Sequence, residues 1–300
     1  MDWVLASLVS AAVFAVVSVM DKRILAVHVD GMPGFYFLVG LMQFVMAIVA
    51  VLVEPWQGAS LNTMTMAALS GAITGAGLLC LFYGIRALDV SHAIPIFHTF
   101  PVFVTILAVL FLGERVQPAQ WFAILMVIAG AGLLAIGPQQ SETSGSKRLG
   151  ILATVIASAG MAGGLVTSKV ALEGMSLWNA FAFRSIFLGV VMLLPAIRPS
   201  GMRQVADILS NKRALSLIVL TEGVLAGIAV YTMLLALVVG QASIASTLMS
   251  TRPAFVLVFS ALLSTRIWKL LDEPLTRDTM ALKSGSTAIV IVGVGILALT

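Results

Sequence analysis

The sequence predicts an all-α integral membrane protein, with ten transmembrane helices arranged as two inverted five-helix repeats. Three observations predict it. Of 300 residues, 60% are hydrophobic and only 10% are charged, whereas a soluble domain is about half apolar and a quarter charged. The apolar residues come in runs of about twenty, the length of helix that crosses a bilayer. The runs also fall into two similar sets of five, on either side of one polar stretch.

Ten runs qualify as spans, at residues 3–20, 35–53, 64–85, 93–112, 119–137, 149–172, 178–197, 215–239, 243–263 and 279–299. Backbone groups in lipid must be satisfied within the segment, so such runs form helices. A barrel strand would alternate polar and apolar residues, and these runs do not. The first follows Met1-Asp2-Trp3, which has no basic segment, so it is expected to be retained rather than cleaved as a signal peptide. The third carries Gly71, Gly75 and Gly77, which allow close helix approach. The fourth is broken by Pro95 and Pro101 and ends at Gly113-Glu114-Arg115; the fifth carries Gly130 and Gly132. Residues 138–148, rich in Ser and Gly, read as a flexible linker. The ninth span holds Pro253, and the tenth repeats a glycine pair at Gly293 and Gly295.

The two halves, 1–137 and 149–300, match in order. Ala11–Lys22 lies 147 positions before Ser158–Lys169, Phe35 lies 146 before Phe181, and Ala87-Leu88 lies 149 before Ala236-Leu237. Pro101 precedes Pro253 by 152, and Gly130 precedes Gly293 by 163. The offset grows steadily, as insertions in loops would make it grow. Five is odd, so the second copy enters the membrane from the opposite face. Inverted repeats of this kind are the architecture of many secondary transporters, with the binding site near the midplane.

Basic residues fix the orientation. The connections after spans 1, 3, 5, 7 and 9 hold Lys22, Arg23, Arg86, Lys147, Arg148, Arg198, Arg203, Lys212, Arg213, Arg266, Lys269, Arg277 and Lys283; the remaining connections and termini hold only Arg115. This bias places the former in the cytoplasm and both termini outside. Two of the basic connections, around Val205-Ile208-Leu209 and Ile267-Trp268-Lys269-Leu270-Leu271, read as short interfacial helices or simple loop anchors.

The formal charge of +4 and the absence of any long basic run exclude a nucleic-acid partner. No HExxH, P-loop or GxSxG motif occurs. With three His and one Cys, neither a metal site nor another cofactor is expected, and the chain is not read as an enzyme. Cys80 reads as a small packing residue.

Ionisable residues inside spans are costly and mark cavities or partners. Arg252 precedes Pro253, and a charge at a helix break in mid-membrane is the strongest site signal. Arg184 lies near mid-depth in span 7, either paired with Glu222 of span 8 or facing a solute. Glu222 is the one carboxylate well inside a span; it pairs with Arg184 or Arg252, or carries a proton. Lys169 has a claim on a cavity, whereas Lys22, beside Asp21 and Arg23, reads as snorkelling to the interface. His98, between Pro95 and Pro101, is either a buried satisfied group or a ligand. Tyr83, Tyr231, Gln43 and Thr251 offer further hydrogen bonds to a cavity. Spans 1 and 6 show no carboxylate of the kind a simple proton antiporter would need.

Together, Ala87-Leu88, Pro101, Leu112-Gly113-Glu114-Arg115 followed by Gln120, and Gly130-x-Gly132 resemble the drug/metabolite transporter (DMT) superfamily, in its ten-helix EamA-type branch. Phe181-x-Phe183-Arg184, Ala236-Leu237, Pro253 and Gly293-x-Gly295 continue the resemblance. It implies the DMT fold in a prokaryotic cytoplasmic (inner) membrane, with spans 1–4 and 6–9 around a central cavity and spans 5 and 10 outside. It also implies alternating access. The second half departs from the pattern by lacking the Leu-Gly-Glu-Arg turn, and span 2 has no arginine.

The expected function is therefore secondary transport of a small organic solute by a monomer or homodimer embedded among membrane lipids. Arg184, Arg252 and Lys169 outnumber Glu222, which favours an anionic or zwitterionic metabolite. A phosphate-bearing lipid headgroup, moved by a flippase, fits the same charges. An amino-acid or drug exporter is a further form, and a non-transporting scaffold belongs to a different class.

Overall fold

The computed structural model describes residues 2–27, 31–88, 93, 96–133, 144–197, 199–252, 254–256, 259, 285, 288–289, 292–293 and 296. Among them there are helices and turns but no strands. Among the described residues, six helices are long and apolar enough to cross a membrane: α1 (Trp3–Val27), α2 (Met32–Val53), α3 (Leu61–Ala87), α6 (Ser144–Leu172), α7 (Leu177–Leu193) and α9 (Lys212–Val239). Two shorter apolar helices, α4 (Phe100–Leu112) and α5 (Pro118–Leu133), occupy the fourth and fifth expected spans. The short α8 (Pro199–Ser210) precedes α9, and α10 (Ala242–Met249) opens the ninth span. Pro95, Pro253, most of the tenth span and the connection carrying Trp268 lie outside the described residues.

Local chemistry sets several boundaries. Ser60, Ser176 and Asn211 cap α3, α7 and α9, accepting from the amides of Thr63, Asn179 and Ala214 at 3.2, 3.3 and 3.1 Å. Pro101 stands in the first turn of α4, where its missing N–H costs nothing. Gly113 ends α4 in the left-handed region, at φ +66°, which a residue with a Cβ rarely adopts.

At most half of each long span is buried, and the remaining face is still apolar. On α2, Phe35, Leu38, Val39, Met42 and Met46 face inward while Val45, Ile48, Val49 and Leu52 are exposed. A helix apolar on both faces belongs in lipid rather than water.

The helices of the two halves interleave. Antiparallel α1 and α9 run together: Ser10 Oγ donates to Ala229 O at 2.8 Å, and Thr221 Oγ1 meets Met20 Sδ at 3.6 Å. Helix α3 lies antiparallel on α6, with Ser70 bonded to Gly164 O and with Gly77 against Gly160. A Cβ on Gly160 would stand 3.2 Å from the Gly77 Cα, so small residues set that separation. Helix α2 crosses α7 at Gly40 and Gly189, and α4 packs on α6 and α10. Gly293 rests against Ala123 and Val127 of α5, bringing the tenth span onto the fifth.

Three local expectations change. Helix α1 continues through Asp21 to Val27, so the first span does carry a carboxylate, and Asp21 turns inward rather than marking the interface. Helix α6 begins at Ser144, inside the stretch expected to be a linker. Of the two readings of the connection around Val205, the helix forms as α8, but Val205 and Ile208 are buried, and Gln204 Oε1 accepts from Gly34 N of α2 at 3.3 Å. That face meets protein, leaving Met202 and Leu209 exposed.

Candidate functional site

At the seam between the halves is a small cavity. Ser10 and Phe14 come from α1, and Phe97, His98 and Phe100 from the turn into α4. Met161 and Leu165 of α6, Met233 of α9, Met249 of α10 and Arg252 complete the wall. Methionine and phenylalanine make it apolar and adaptable. As closed here it has room for a water molecule rather than an organic solute.

His98 and Arg252 thus face one cavity, one from each half. Thr99 Oγ1 closes the turn before α4 by donating to Ile96 O at 2.7 Å, and this presents His98 inward. Ser250 Oγ donates to His98 O at 3.3 Å, tying the turn to the chain just before Arg252. The His98 ring is buried against Phe97 and Phe100, and its Nδ1 has no hydrogen-bond partner.

Arg252 is held on three sides. Its Nε donates to Ser18 Oγ at 2.7 Å, Nη2 donates to the same oxygen, and the guanidinium carbon lies 5.2 Å from the centre of the Phe14 ring. A cation over an aromatic face keeps part of its electrostatic stabilisation away from water. Asp21 and Glu222 supply the opposite charge. The two are also neighbours, one residue on from the contact between Met20 and Thr221. Glu222 is presented from Val219–Leu225, where α9 widens into a π-helical turn. Such turns cost helix hydrogen-bond geometry and occur often at functional positions.

Glu222 therefore meets Arg252 and Asp21, whereas no carboxylate acts on Arg184 among the described residues. Arg184 is 3% exposed, and its Nε and Nη1 have no partner. It is not among the residues lining the cavity. The backbone of α3 reaches it through Gly71, where a Cβ would run into Arg184 O. Gln43 Oε1 on α2, Thr74 Oγ1 on α3 and Ser185 Oγ on α7 are likewise buried without a partner.

The other expected site residues sit elsewhere. Lys169 Nζ donates to Leu237 O at 2.6 Å and Gly240 O at 3.0 Å, closing the C-terminal end of α9. Tyr231 stacks on Trp178 with centroids 4.5 Å apart. Tyr83 is 47% exposed on α3. Thr251 Oγ1 donates to Leu248 O at 2.7 Å. Of the three prolines expected to break helices, Pro101 is described, and it begins a helix after the His98–Thr99 turn.

Sequence reasoning missed two roles. Asp21 looked like part of an interfacial charge cluster because Lys22 and Arg23 follow it. Glu114 looked like part of a turn, yet its carboxylate accepts from Ala242 N at 2.6 Å, Ser243 N at 3.2 Å and Ser243 Oγ at 2.6 Å. It thereby caps α10 in the other half, and the corner from Gly240 to Ser243 is held by Lys169 on one side and Glu114 on the other. Ammonium at carbonyls and carboxylate at amides each complement a helix dipole.

The chain is similar to known transporters. The EamA-like transporter family matches over residues 1–136 and 148–272. An uncharacterized transporter in the cobO 3′ region of Sinorhizobium sp. is 33% identical over 138 residues, 45% of this chain and 97% of that protein. The pseudopaline exporter CntI of Pseudomonas aeruginosa is 31% identical over 93 residues, 31% of this chain and 33% of the exporter. A protein crystal structure superposes with a TM-score of 0.70 at 15% identity, covering 99% of this chain and 96% of that one; it speaks to the fold alone. With the match reaching across both halves, this chain belongs to the EamA-like transporter family.

Proposed function

We propose that this transporter moves a small anionic or zwitterionic organic solute across the prokaryotic cytoplasmic membrane by alternating access. The observation that carries this reading is the cavity at the seam, with His98 and Arg252 on opposite halves of its wall. Arg184 adds a buried guanidinium that no carboxylate neutralises among the described residues. Arg184 lies outside the wall of the closed cavity, so a solute anion would complete what the protein leaves unpaired there only once the cavity opens towards it.

The cavity holds only a water-sized space, so the protein must open to admit a solute, and a seam between two similar halves is where rocking opens it. The helix contacts support ten spans in two inverted repeats. Exchanging each span with the one five places on turns the α3–α6 contact into the α9–α1 contact, and the α4–α6 contact into that of α10 with α1. The α2–α7 and α4–α10 contacts map onto themselves, as they would beside a two-fold axis in the membrane plane. The bias of basic residues supports placing both termini outside.

A thermal-shift screen of the purified protein against anionic metabolites, zwitterionic metabolites, amino acids and phosphate-bearing lipid headgroups tests the solute class. The stabilising compounds then go into proteoliposome counterflow. Replacing Arg252→Gln removes a charged hydrogen-bonding group worth ~2 kcal/mol, so anion affinity should fall roughly thirty-fold. Unchanged transport of every anionic candidate by that variant sinks the anion reading. The exporter among the similar proteins makes outward movement the direction to examine first.

A further inference from the structure

We propose that Asp21 and Glu222 form one proton-binding site, linked through Arg252 to the binding of an anion in the central cavity. The link rests on the transport reading; the proton site itself does not.

The geometry supplies the argument. The two carboxyls come from different halves of the chain, on α1 and on the π-helical turn of α9; the contact of Met20 Sδ with Thr221 Oγ1 at 3.6 Å sets Asp21 and Glu222 beside each other, and Arg252 is bonded to Ser18 one turn away on α1. Neighbouring carboxyls repel when both are ionised and can bond to each other only through a shared proton, because an ionised carboxylate has no donor. An ion pair that served only as glue would need one carboxylate for one guanidinium. Here two carboxyls face Arg252, and Asp21 Oδ1 is buried with no hydrogen-bond partner. Among the described residues, Arg252 is the other charged group acting on the pair, and beyond it His98 faces Arg252 across the cavity.

Charge fixes the sign of the link. With both carboxyls ionised, Arg252 is over-compensated and an anion in the cavity is repelled. With one proton on the pair, the cluster is neutral. With a second, the guanidinium is left for an anion to neutralise. Proton and anion therefore favour each other's binding, and linkage makes that reciprocal. The proton comes from water and returns to it, and no covalent bond of the solute changes. For an anionic solute this predicts movement of proton and solute in the same direction. A cationic amine competing for the same carboxyls would give the opposite sign.

Infrared difference spectra of the purified protein, titrated in pH, test the site without knowledge of the solute. A carboxylic C=O band that bleaches with rising pH is expected, and it should be lost in both Asp21→Asn and Glu222→Gln. If one variant fails to fold, as judged by gel filtration and circular dichroism, the other decides. A band set that neither replacement alters overturns the proton site, whatever the transport assays show.

Sulfate, an anion ionised throughout the range, tests the link. In sulfate against an equal ionic strength of chloride, the midpoint of bleaching should rise by roughly one pH unit, a tenfold change in proton affinity. Arg252→Gln should abolish that rise. A midpoint that stays put, or falls, overturns the link while leaving the proton site standing.

Discussion

Replacing Glu114→Ala should release the start of α10 from the first half of the protein. The carboxylate accepts three hydrogen bonds, from Ala242 N at 2.6 Å, Ser243 N at 3.2 Å and Ser243 Oγ at 2.6 Å. Two of the donors are amides at the helix start, which have no partner within the helix. Loss of a capping side chain costs about 1 kcal/mol, and the charge at the dipole end adds up to about 1 more. The hydroxyl of Ser243 raises the total to ~2–3 kcal/mol. Glu114 is only partly buried, so water replaces some of these bonds, and the lower end is the better expectation. For a chain of this size each kcal/mol moves the melting temperature by about 2 °C, giving a drop of ~4–6 °C. Intrinsic-fluorescence melting in detergent reads it, and hydrogen exchange at Ala242 and Ser243 localises it. Glu114→Gln keeps one acceptor and should lose about half as much. Should Glu114→Ala melt within about 1 °C of the parent with those amides still protected, the assignment of Glu114 as a cap between halves is wrong.

Lys169→Met should lower the same melting temperature by about 2–4 °C, because the carbonyls of Leu237 and Gly240 lose their donor, while Lys169→Arg restores most of it. A loss of solute binding without a loss of stability would instead place Lys169 in the transport path. Gly71→Ala should cost about 1–3 kcal/mol, because a Cβ there meets the Arg184 carbonyl and pushes α3 off α7. The same melt measures it, and an unchanged midpoint would refute so close a crossing.

Much of the architecture is legible along the chain because the signal is local. Transfer of about twenty apolar residues into lipid favours a helix whatever its neighbours are, and among the described residues six of the expected spans recur as helices long enough to cross, α1–α3, α6, α7 and α9, with the shorter α4 and α5 at two more. The capping residues Ser60, Ser176 and Asn211, and the turn at Gly113, act within four residues of themselves. The ordered matches between halves required only counting. For the site, the sequence picked out Arg252 and His98 from their place in the membrane and beside proline, and the structure sets both on one cavity.

Which charges meet was not legible, because partners are chosen by helix packing over distances of a hundred residues or more. From its span, Glu222 had two arginines to choose between. The antiparallel run of α1 along α9 brought Asp21 to it, the packing on α1 brought Arg252, and among the described residues Arg184 was left without a carboxylate. Asp21 was hidden by its basic neighbours in sequence, since hydropathy cannot show which side of a helix faces inward. Lys169 looked like a cavity residue until the end of α9 was placed beside its ammonium. The sequence alone determined a helical membrane chain in two matching halves, since burial of apolar segments in lipid depends on each segment by itself. The tertiary structure alone decided the partners of each buried charge, since an ion pair depends on two helices and the angle at which they cross.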